Sequence, residues 1–312
     1  MLDSGTSSRP SSASSADSPA SPPINNGPPA SACAESQAAD QDLRSGPADR
    51  REKVTLGKRR RAAFTIVQNE PVFLPLWLRY YGRYFDAADL YVLDHDSTDG
   101  STDGLGTRCN LVGVHRDLSF DHAWLNGTVT AFHAFLLRSY EHVLFAECDE
   151  IVVANPALYR GLDDYIDRFQ DRVARCTGFE VVHYPAKEPA LCFDQPVLAQ
   201  RRYWHASRFY CKPLLSSVPM SWSLGFHEAT YFPDLQPDPN LFLVHLHRID
   251  YATCAARHRE TAARNWNPSD IEEGCGLQNR LVEGEEAFKT WFFRGLDNST
   301  RERIPEHLKT LL

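Results

Sequence analysis

Carboxylates are concentrated in one predicted turn of this chain. The segment 92-VLDHDSTDGSTDGL-105 contains four aspartates and two glycines behind a short apolar run. Three interpretations are open: a calcium loop, a turn in which Asp, Ser, Thr and Gly only cap the backbone, or a ligand-binding loop at the carboxyl end of a parallel strand. A calcium loop is disfavoured, because the twelfth position counted from Asp99 is Asn110, where an EF-hand has a bidentate glutamate.

A second group of carboxylates, Glu147, Asp149 and Glu150, lies in 145-FAECDEIV-152 at the end of an otherwise apolar run. Such carboxylates repel one another and are costly to bury. A divalent cation such as Mg²⁺ or Mn²⁺ would relieve that cost and would also bind phosphate oxygens of a substrate. If the run is one strand, alternation places Glu147 and Asp149 on one face and Glu150 on the other. The alternative is a solvated loop that begins at Asp149.

Strands and helices alternate around both acidic segments. Short apolar runs predict strands, and the apolar stripe that follows Pro71 predicts a helix. Such alternation is typical of βαβ units with a parallel sheet, which places both acidic segments at carboxyl ends of strands. Beyond Asn155 the pattern indicates mixed or antiparallel strands. The predicted strands are 62–67, 89–94, 111–116, 142–150, 178–184, 208–215 and 241–249, and the predicted helices are 71–85, 126–140, 160–169, 251–264 and 284–295.

The composition limits the domain organisation and the class of partner. Residues 1–55 are dominated by Ser, Ala, Pro, Asp and Gly and are predicted to be a disordered tail, whereas residues 56–312 are predicted to form a single α/β domain. The net charge of −8 argues against a nucleic-acid-binding surface. No run resembles a signal peptide core or a transmembrane helix, and the eight cysteines show no CxxC spacing, so we expect a soluble cytoplasmic protein with reduced thiols.

Three segments in order, 64-FTIVQNEPVFLPLWLRYY-81, 91-YVLDHDSTDGS-101 and 145-FAECDEIVV-153, resemble the GT-A nucleotide-sugar glycosyltransferases of the family 2-like group. That group has an NE pair at the end of its first strand, a DNxSTDGS turn and a DxDE segment. The resemblance implies a Rossmann-like nucleotide-sugar-binding half with a mainly parallel sheet, residues 56–153, and a mixed half that completes the acceptor and metal sites, residues 154–312.

The resemblance also implies roles for individual residues. Asn69 and Glu70 would flank the nucleoside, Asp96 would face the base or ribose, and Asp149 would bind Mn²⁺ or Mg²⁺ together with the diphosphate. On this interpretation Asp99 mainly caps the turn. The predicted substrate-binding residues are Asn69, Glu70, Asp94, Asp96, Glu147, Lys212 and Arg248, of which Lys212 and Arg248 are the cations expected to meet a diphosphate.

Two residues depart from the motifs of the family. Glu147 stands where the first Asp of DxD is expected, and it keeps the charge on a longer side chain. His95 stands where an Asn is usual. The contact that Glu147 makes with the substrate is therefore open.

The metal site of this family is often completed by a histidine from the second half. His245 and His247 share a strand face by alternation in 244-VHLHRID-250, and His227 lies in 225-GFHEA-229. The predicted metal ligands are Asp149, His247 and His227, with His245 as a further candidate. Each histidine could instead be a structural residue with no ligand.

The predicted reaction moves a sugar from a nucleotide diphosphate sugar to an unknown small-molecule, glycan or peptide acceptor, with inversion. The metal and a cation would stabilise the departing diphosphate, while Glu228 or Asp194 removes the acceptor proton. One alternative is a sugar-phosphate nucleotidyltransferase, although its usual glycine-rich phosphate loop is missing from the segment QNEPVF. The other alternative is a non-catalytic nucleotide-sugar-binding module, which the departure at Glu147 would suit.

Overall fold

The computed structural model describes residues 57–115, 119–274, 276, 284–296 and 298–312. The residues predicted to form a disordered tail, 1–55, lie outside these ranges. In chain order the elements are β1 (Arg59–Val67), α1 (Phe73–Tyr81), β2 (Leu90–Asp94), β3 (Asn110–Gly113), α2 (His122–Leu136), β4 (Tyr140–Phe145), β5 (Glu150–Ala154), α3 (Leu162–Arg168), β6 (Val173–Val181), β7 (Tyr203–Ala206), β8 (Pro213–Ser216), β9 (Pro237–His245), α4 (Tyr251–Ala262), α5 (Pro268–Glu272), α6 (Glu285–Phe292) and β10 (Arg301–Arg303).

The first four strands are parallel and lie in the order β3-β2-β1-β4. β1 and β4 end in buried apolar residues, as is typical of parallel strands that are covered on both faces. The predicted parallel first half is confirmed. Because these strands run in the same direction, the segments that follow β1, β2 and β4 lie at one edge of the sheet.

Helix α1 follows β1 in the chain and is joined to β5 by hydrogen bonds. It begins at Phe73, whose backbone N–H donates to Oε1 of Glu70 at 3.2 Å. At the other end of the helix, the Tyr81 hydroxyl accepts from the N–H of Val152 at 2.9 Å and donates to the carbonyl of Glu150 at 3.2 Å. These bonds fix β5 relative to α1.

The second half contributes strands of both directions to the same sheet. β8 pairs antiparallel with β4 and β6, and β6 continues antiparallel to β7 and then β10. β9 pairs parallel with β6 and antiparallel with β5. The predicted α/β class with a mixed second half is therefore confirmed. None of the helices in the described ranges is long and apolar enough to cross a membrane.

One predicted strand is two strands in the structure. The segment 142–150 is interrupted after Phe145, and the N–H of Glu150 donates to the carbonyl of Glu147 at 2.9 Å to close a tight turn. The prediction that Glu147 and Asp149 share a strand face is wrong, because strand alternation does not apply within a turn. Similarly, the predicted strand 208–215 begins with a single 3₁₀ turn, and only its end pairs in the sheet.

Candidate active site

A cavity of about 1100 Å³ opens where β1, β2 and β4 end. Open α/β sheets bind their ligands at this edge. The predicted site residues that line the cavity are Asn69, Glu70, Glu147, Asp149, Lys212, His227, His245, His247 and Arg248. The predicted site residues that do not line it are Asp94, Asp96, Asp194 and Glu228.

An arginine bridges two acidic residues in the cavity wall. Arg257, on α4, donates to Oε2 of Glu70 at 2.6 and 3.1 Å and to Oδ2 of Asp149 at 2.9 Å. Both carboxylates are buried. Burial alone would raise the pKa of Asp149, but Arg257 and the neighbouring imidazoles hold that pKa well below its ordinary value. Asp149 is therefore ionised and already paired with a cation of the protein.

His247 lies next to this arginine, two residues beyond the end of β9. Its Nδ1 is 3.3 Å from Oδ2 of Asp149 and 2.9 Å from Nη1 of Arg257. Burial lowers the pKa of His247. The contact with Asp149 raises this pKa, and the charge of Arg257 lowers it. Depending on the tautomer, Nδ1 donates to Asp149 or accepts from Arg257, so this nitrogen is engaged in either case.

His245 reaches Asp149 from the other side. Its Nδ1 is 3.1 Å from Oε2 of Glu180, its ring stacks on Tyr210 with centroids 3.9 Å apart, and its Nε2 is 4.0 Å from Oδ1 of Asp149. Burial alone would lower the pKa of His245, but Glu180 raises it above the ordinary value. A carboxylate that holds Nδ1–H leaves Nε2 free to bind a metal. Oδ1 of Asp149 and Nε2 of His245 therefore fit a divalent cation between them.

The carboxylates on either side of Asp149 have a different partner. Lys212 is buried, with Nζ 2.6 Å from Oε2 of Glu147 and 2.7 Å from Oε1 of Glu150. Burial alone would lower the pKa of Lys212, but the two carboxylates raise it above the ordinary value. The turn thus directs Glu147 and Glu150 to one cation and Asp149 to another. The charge of Lys212 is already balanced within the protein.

The acidic turn is held against the end of β1 by side-chain hydrogen bonds. The carboxylate of Asp94 accepts from the N–H of Ser97 and from the hydroxyl of Thr102, each at 2.9 Å. Asn69, with a left-handed backbone φ of 54°, accepts from the N–H of Thr98 at 2.7 Å through Oδ1. Capping thus accounts for Asp94 and for part of the role of Asn69.

The turn presents a histidine to the cavity and its second aspartate to the surface. Asp96 is exposed, with Oδ1 2.9 Å from Nδ1 of His115. His95 is buried, lines the cavity and lies against Trp124 with ring centroids 4.6 Å apart. Asp99 accepts from the N–H of a nearby serine at 2.9 Å, which is the capping contact predicted for it.

His227 is positioned by an unusual backbone conformation. Gly225 and Phe226 both have positive φ, 76° and 63°, and the buried ring of Phe226 packs on Phe145 with centroids 4.6 Å apart. The next side chain, His227, then lies in the cavity wall with Nδ1 2.8 Å from the carbonyl oxygen of Phe209. Because a carbonyl only accepts, Nδ1 carries the proton and Nε2 keeps its lone pair. Burial lowers the pKa of His227, which favours the neutral ring.

The structure does not bring the two predicted carboxylate bases to the cavity. Glu228 forms a two-point ion pair with Arg175 at 2.6 and 2.7 Å and is half exposed. The hydrogen bonds with Arg175 lower the pKa of Glu228 below its ordinary value, although burial acts to raise it. Asp194 is exposed and, like Glu228, lies outside the cavity lining. Neighbours in a turn point in different directions, so His227 reaches the cavity and Glu228 does not.

Arg248 supplies a second arginine to the cavity. Its guanidinium lies 4.9 Å from the ring centroid of Trp291, and its Nη1 donates to the carbonyl of Arg294 at 3.0 Å. Among the described residues it has no carboxylate within ion-pair distance. An aromatic face and a carbonyl orient the guanidinium while leaving its charge available to an anion.

Sequence reasoning missed three residues that organise the site: Arg257, Glu180 and Tyr210. Glu180 had a signal, because a carboxylate inside the apolar run 178-GFEVVHY-184 is costly to bury without a partner. Arg257 had none, since it is one of two arginines on a polar helix. Its partner Glu70 lies 187 residues earlier.

The chain matches no family model and no curated protein sequence. Among solved structures it is similar to the mannosyltransferase PcManGT from Pyrobaculum calidifontis in complex with GDP-Man and Mn²⁺. The identity is 14%, the alignment covers 75% of this chain and 83% of that chain, and the TM-score is 0.35. A similarity at this level identifies neither a family nor an activity.

Proposed function

We propose that this protein is a GT-A glycosyltransferase that moves a sugar from a nucleotide diphosphate sugar to an acceptor. The observation that carries the proposal is the convergence of three sequence motifs on one cavity. Asn69 and Glu70 come from the first motif, His95 from the second, and Glu147 and Asp149 from the third. If these three segments only capped turns of the backbone, we would not expect them to line one cavity large enough for a nucleotide sugar.

The donor has a different environment at each end. We assign the nucleoside to the wall formed by Asn69, Glu70 and His95, since an imidazole held by Trp124 offers a flat face to a base. We assign the diphosphate to the part of the wall near Arg248, which has no carboxylate within ion-pair distance among the described residues. Lys212 is no longer a candidate for direct phosphate binding, because Glu147 and Glu150 neutralise it.

A divalent cation fits Asp149 and His245 better than the predicted pair of Asp149 and His247. Oδ1 of Asp149 faces Nε2 of His245, whereas Oδ2 and Nδ1 of His247 are engaged with Arg257. The ion would neutralise charge on the departing diphosphate. Mn²⁺ and Mg²⁺ both accept oxygen ligands, and an imidazole nitrogen in the set favours Mn²⁺.

The proton acceptor of the reaction is His227 in this proposal. It lines the cavity, its Nδ1–H is held by a backbone carbonyl, and its Nε2 is the basic atom. It replaces Glu228 and Asp194 in that role. A base that accepts the proton of the acceptor hydroxyl during direct displacement of the diphosphate would give an inverted anomeric centre.

The test is a mass-spectrometric screen of the purified protein with Mn²⁺, a panel of nucleotide diphosphate sugars and mixed acceptors. We expect release of a nucleoside diphosphate and an acceptor heavier by one sugar. Release of pyrophosphate from a nucleoside triphosphate and a sugar phosphate would identify a nucleotidyltransferase instead. Donor binding without turnover across the acceptor panel would favour the binding module.

Arg248→Ala tests the diphosphate assignment. Arg160→Ala is the matched control, because Arg160 is highly exposed and lies just before the start of α3. Loss of one charge-assisted contact should raise the donor dissociation constant about ten- to a hundredfold. The control variant should bind as the wild type does. Equal affinity in both variants would contradict the assignment.

A further inference from the structure

A second group of side chains of metal-ligating types consists of His247, Cys254 and His258. One donor atom each from His247, Cys254 and His258 lies within 4.8 Å of the other two. Cys254 and His258 are four residues apart on α4 and therefore share a face of the helix. His247 comes from the segment between β9 and α4, so the set joins the helix to the end of a strand.

The most informative member of the set is His258. It is only 4% exposed, and neither of its ring nitrogens has a hydrogen-bond partner in the described part of the chain. Buried polar atoms are nearly always paired, so two unpaired nitrogens on one buried ring indicate a missing ligand.

The surroundings of the set would favour a tightly held ion over a hydrated one. Cys254 is fully buried, and His258 lies against Trp291 and Phe288 with ring centroids 3.9 and 5.3 Å away. Such an apolar shell keeps bulk water out, leaving room only for water bound directly to the ion, and it strengthens electrostatic interactions at its centre. A thiolate and two imidazoles form a donor set that zinc prefers and that Mn²⁺ or Mg²⁺ does not.

We propose that His247, Cys254 and His258 bind Zn²⁺ at a site separate from the position between Asp149 and His245. His247 would coordinate through Nε2, because its Nδ1 faces Asp149 Oδ2 at 3.3 Å. A carboxylate behind a ligating histidine is the usual second contact in zinc proteins. Cys254 binds as the thiolate, with its proton released to solvent, and a water molecule completes the tetrahedral set of four ligands.

Zinc at this position would organise the proposed active site without taking part in the reaction. Arg257 lies between the two α4 ligands in sequence and bridges Glu70 and Asp149. An ion that ties α4 to His247 would therefore fix the guanidinium against both carboxylates. His247 is the link, since it contacts Asp149 through one nitrogen and would bind zinc through the other.

The test measures metal content and cobalt spectra of the full chain, and neither depends on transferase activity. Wild-type protein purified without chelator should contain about one zinc ion per chain. After chelation, added Co²⁺ should give thiolate-to-cobalt charge-transfer absorption. Cys254→Ser should lose this absorption, and His258→Gln should weaken metal binding at least tenfold. Cys176→Ser is the matched control, because Cys176 is also fully buried and lies outside the set.

Thermal melts of the wild type test zinc binding even if a variant fails to fold. Chelation should lower the melting temperature, and Zn²⁺ but not Mn²⁺ should restore it. Wild-type protein that binds Co²⁺ without thiolate absorption, or takes up no zinc, would overturn the proposal. So would identical cobalt spectra from Cys254→Ser and the wild type.

Discussion

At the scale of single residues, Asp149 shows how three like charges are accommodated at one turn. Its Oδ2 is paired with Arg257, its Oδ1 faces His245, and the acidic residues beside it are paired with Lys212. Two cations of the protein, Lys212 for Glu147 and Glu150 and Arg257 for Asp149, therefore offset the repulsion that the bare sequence implies. Oδ1 of Asp149 faces Nε2 of His245 at 4.0 Å.

Asp149→Asn should remove most of the turnover while leaving the fold intact. The amide cannot carry the charge that would hold a divalent cation beside the diphosphate. We expect less than about a tenth of wild-type kcat/KM, a loss of at least about 1.4 kcal/mol in transition-state stabilisation. Asp164→Asn is the control, because Asp164 is also a buried aspartate paired with arginines but lies on α3. Near-normal turnover in Asp149→Asn would remove this residue from the site.

His227→Gln and Glu228→Gln should have opposite consequences although the two residues are neighbours. Loss of a general base should lower kcat by about 10²- to 10⁴-fold, with a smaller change in donor KM. Glu228→Gln only breaks a partly exposed ion pair with Arg175 outside the cavity lining, so its kcat should stay within a few-fold of wild type. Steady-state kinetics of both variants with the acceptor found in the screen decide the assignment. A larger loss of kcat in Glu228→Gln than in His227→Gln would support the prediction from the sequence that Glu228 is the base.

The acid side of the pH profile gives an independent measure of the same base. His227 must be neutral to accept a proton, and the neutral form predominates above its pKa. Since burial lowers the pKa of His227, kcat should hold down to below the ordinary histidine value of about 6.5 and fall at lower pH. His227→Gln should lack this limb of the profile. An unchanged limb in the variant would assign it to another group.

At the scale of elements, helix α4 carries the arginine of the site and depends on a buried cap. Asp250 accepts from the N–H and hydroxyl of Thr253 through Oδ1, and from Arg201 and the N–H of Leu191 through Oδ2. Arg201 is buried, so Asp250 both starts the helix and neutralises a charge in the interior. The position of Arg257 two turns further along follows from this cap.

Asp250→Ala should therefore lower the free energy of unfolding by about 3 to 5 kcal/mol, because it removes an N-cap and the carboxylate that forms an ion pair with a buried guanidinium. Asp250→Asn keeps a capping oxygen and should cost less. Burial alone would raise the pKa of Asp250, but its hydrogen bonds lower it below the unfolded value. The stabilisation is thus present above about pH 4 and is lost as pH falls through the lower, folded-state pKa. Urea titrations at pH 7 and at acid pH should show the wild type and Asp250→Asn converging.

The acidic turn makes a second prediction at this scale. His95 lines the cavity and Asp96 does not, so His95→Ala should raise the donor dissociation constant about tenfold and Asp96→Ala should change it less. This order reverses the expectation from the motif alone, in which Asp96 faces the nucleoside. Calorimetric titration with nucleoside diphosphates measures both. A stronger effect of Asp96→Ala would show that the turn rearranges when the donor binds.

At the scale of the whole molecule, the cavity is built from both halves of one sheet. The first half supplies the motif residues after β1, β2 and β4, and the second half supplies Lys212, His227, His245 and Arg257. A ligand in the cavity therefore contacts elements far apart in sequence and should stabilise the native state as a unit. The proposed donor would need both halves in place.

Thermal melts with nucleoside diphosphates should detect this stabilisation before any acceptor is known. At about a hundred times its dissociation constant, a nucleoside diphosphate should add about 2.7 kcal/mol to the free energy of unfolding. For a domain of this size that corresponds to an increase of roughly 5 to 10 °C in melting temperature. Mn²⁺ should increase the shift, and Asp149→Asn should abolish the increase. No shift with any nucleoside diphosphate would contradict a donor site in this cavity.

The sequence by itself determined the order and type of most elements and the segments that meet at the edge of the sheet. Apolar periodicity is a local property, so β1, β2 and α1 could be predicted from their own residues. The parallel first half followed, because consecutive strands joined by helices run in the same direction. The break after Phe145 could not be predicted, since the apolar run continues across the acidic residues and hides the turn.

Only the tertiary structure decided which charges meet. Glu70 and Arg257 are separated by 187 residues, and Asp149 and Arg257 by 108, so no local pattern connects them. That His227 lines the cavity and Glu228 does not likewise depends on a backbone turn and on the position of Arg175, not on residue type. Ion pairs and hydrogen bonds act over a few ångströms in space, whereas periodicity acts along the chain. The motifs therefore located the candidate site, and the fold decided which of its residues are in contact.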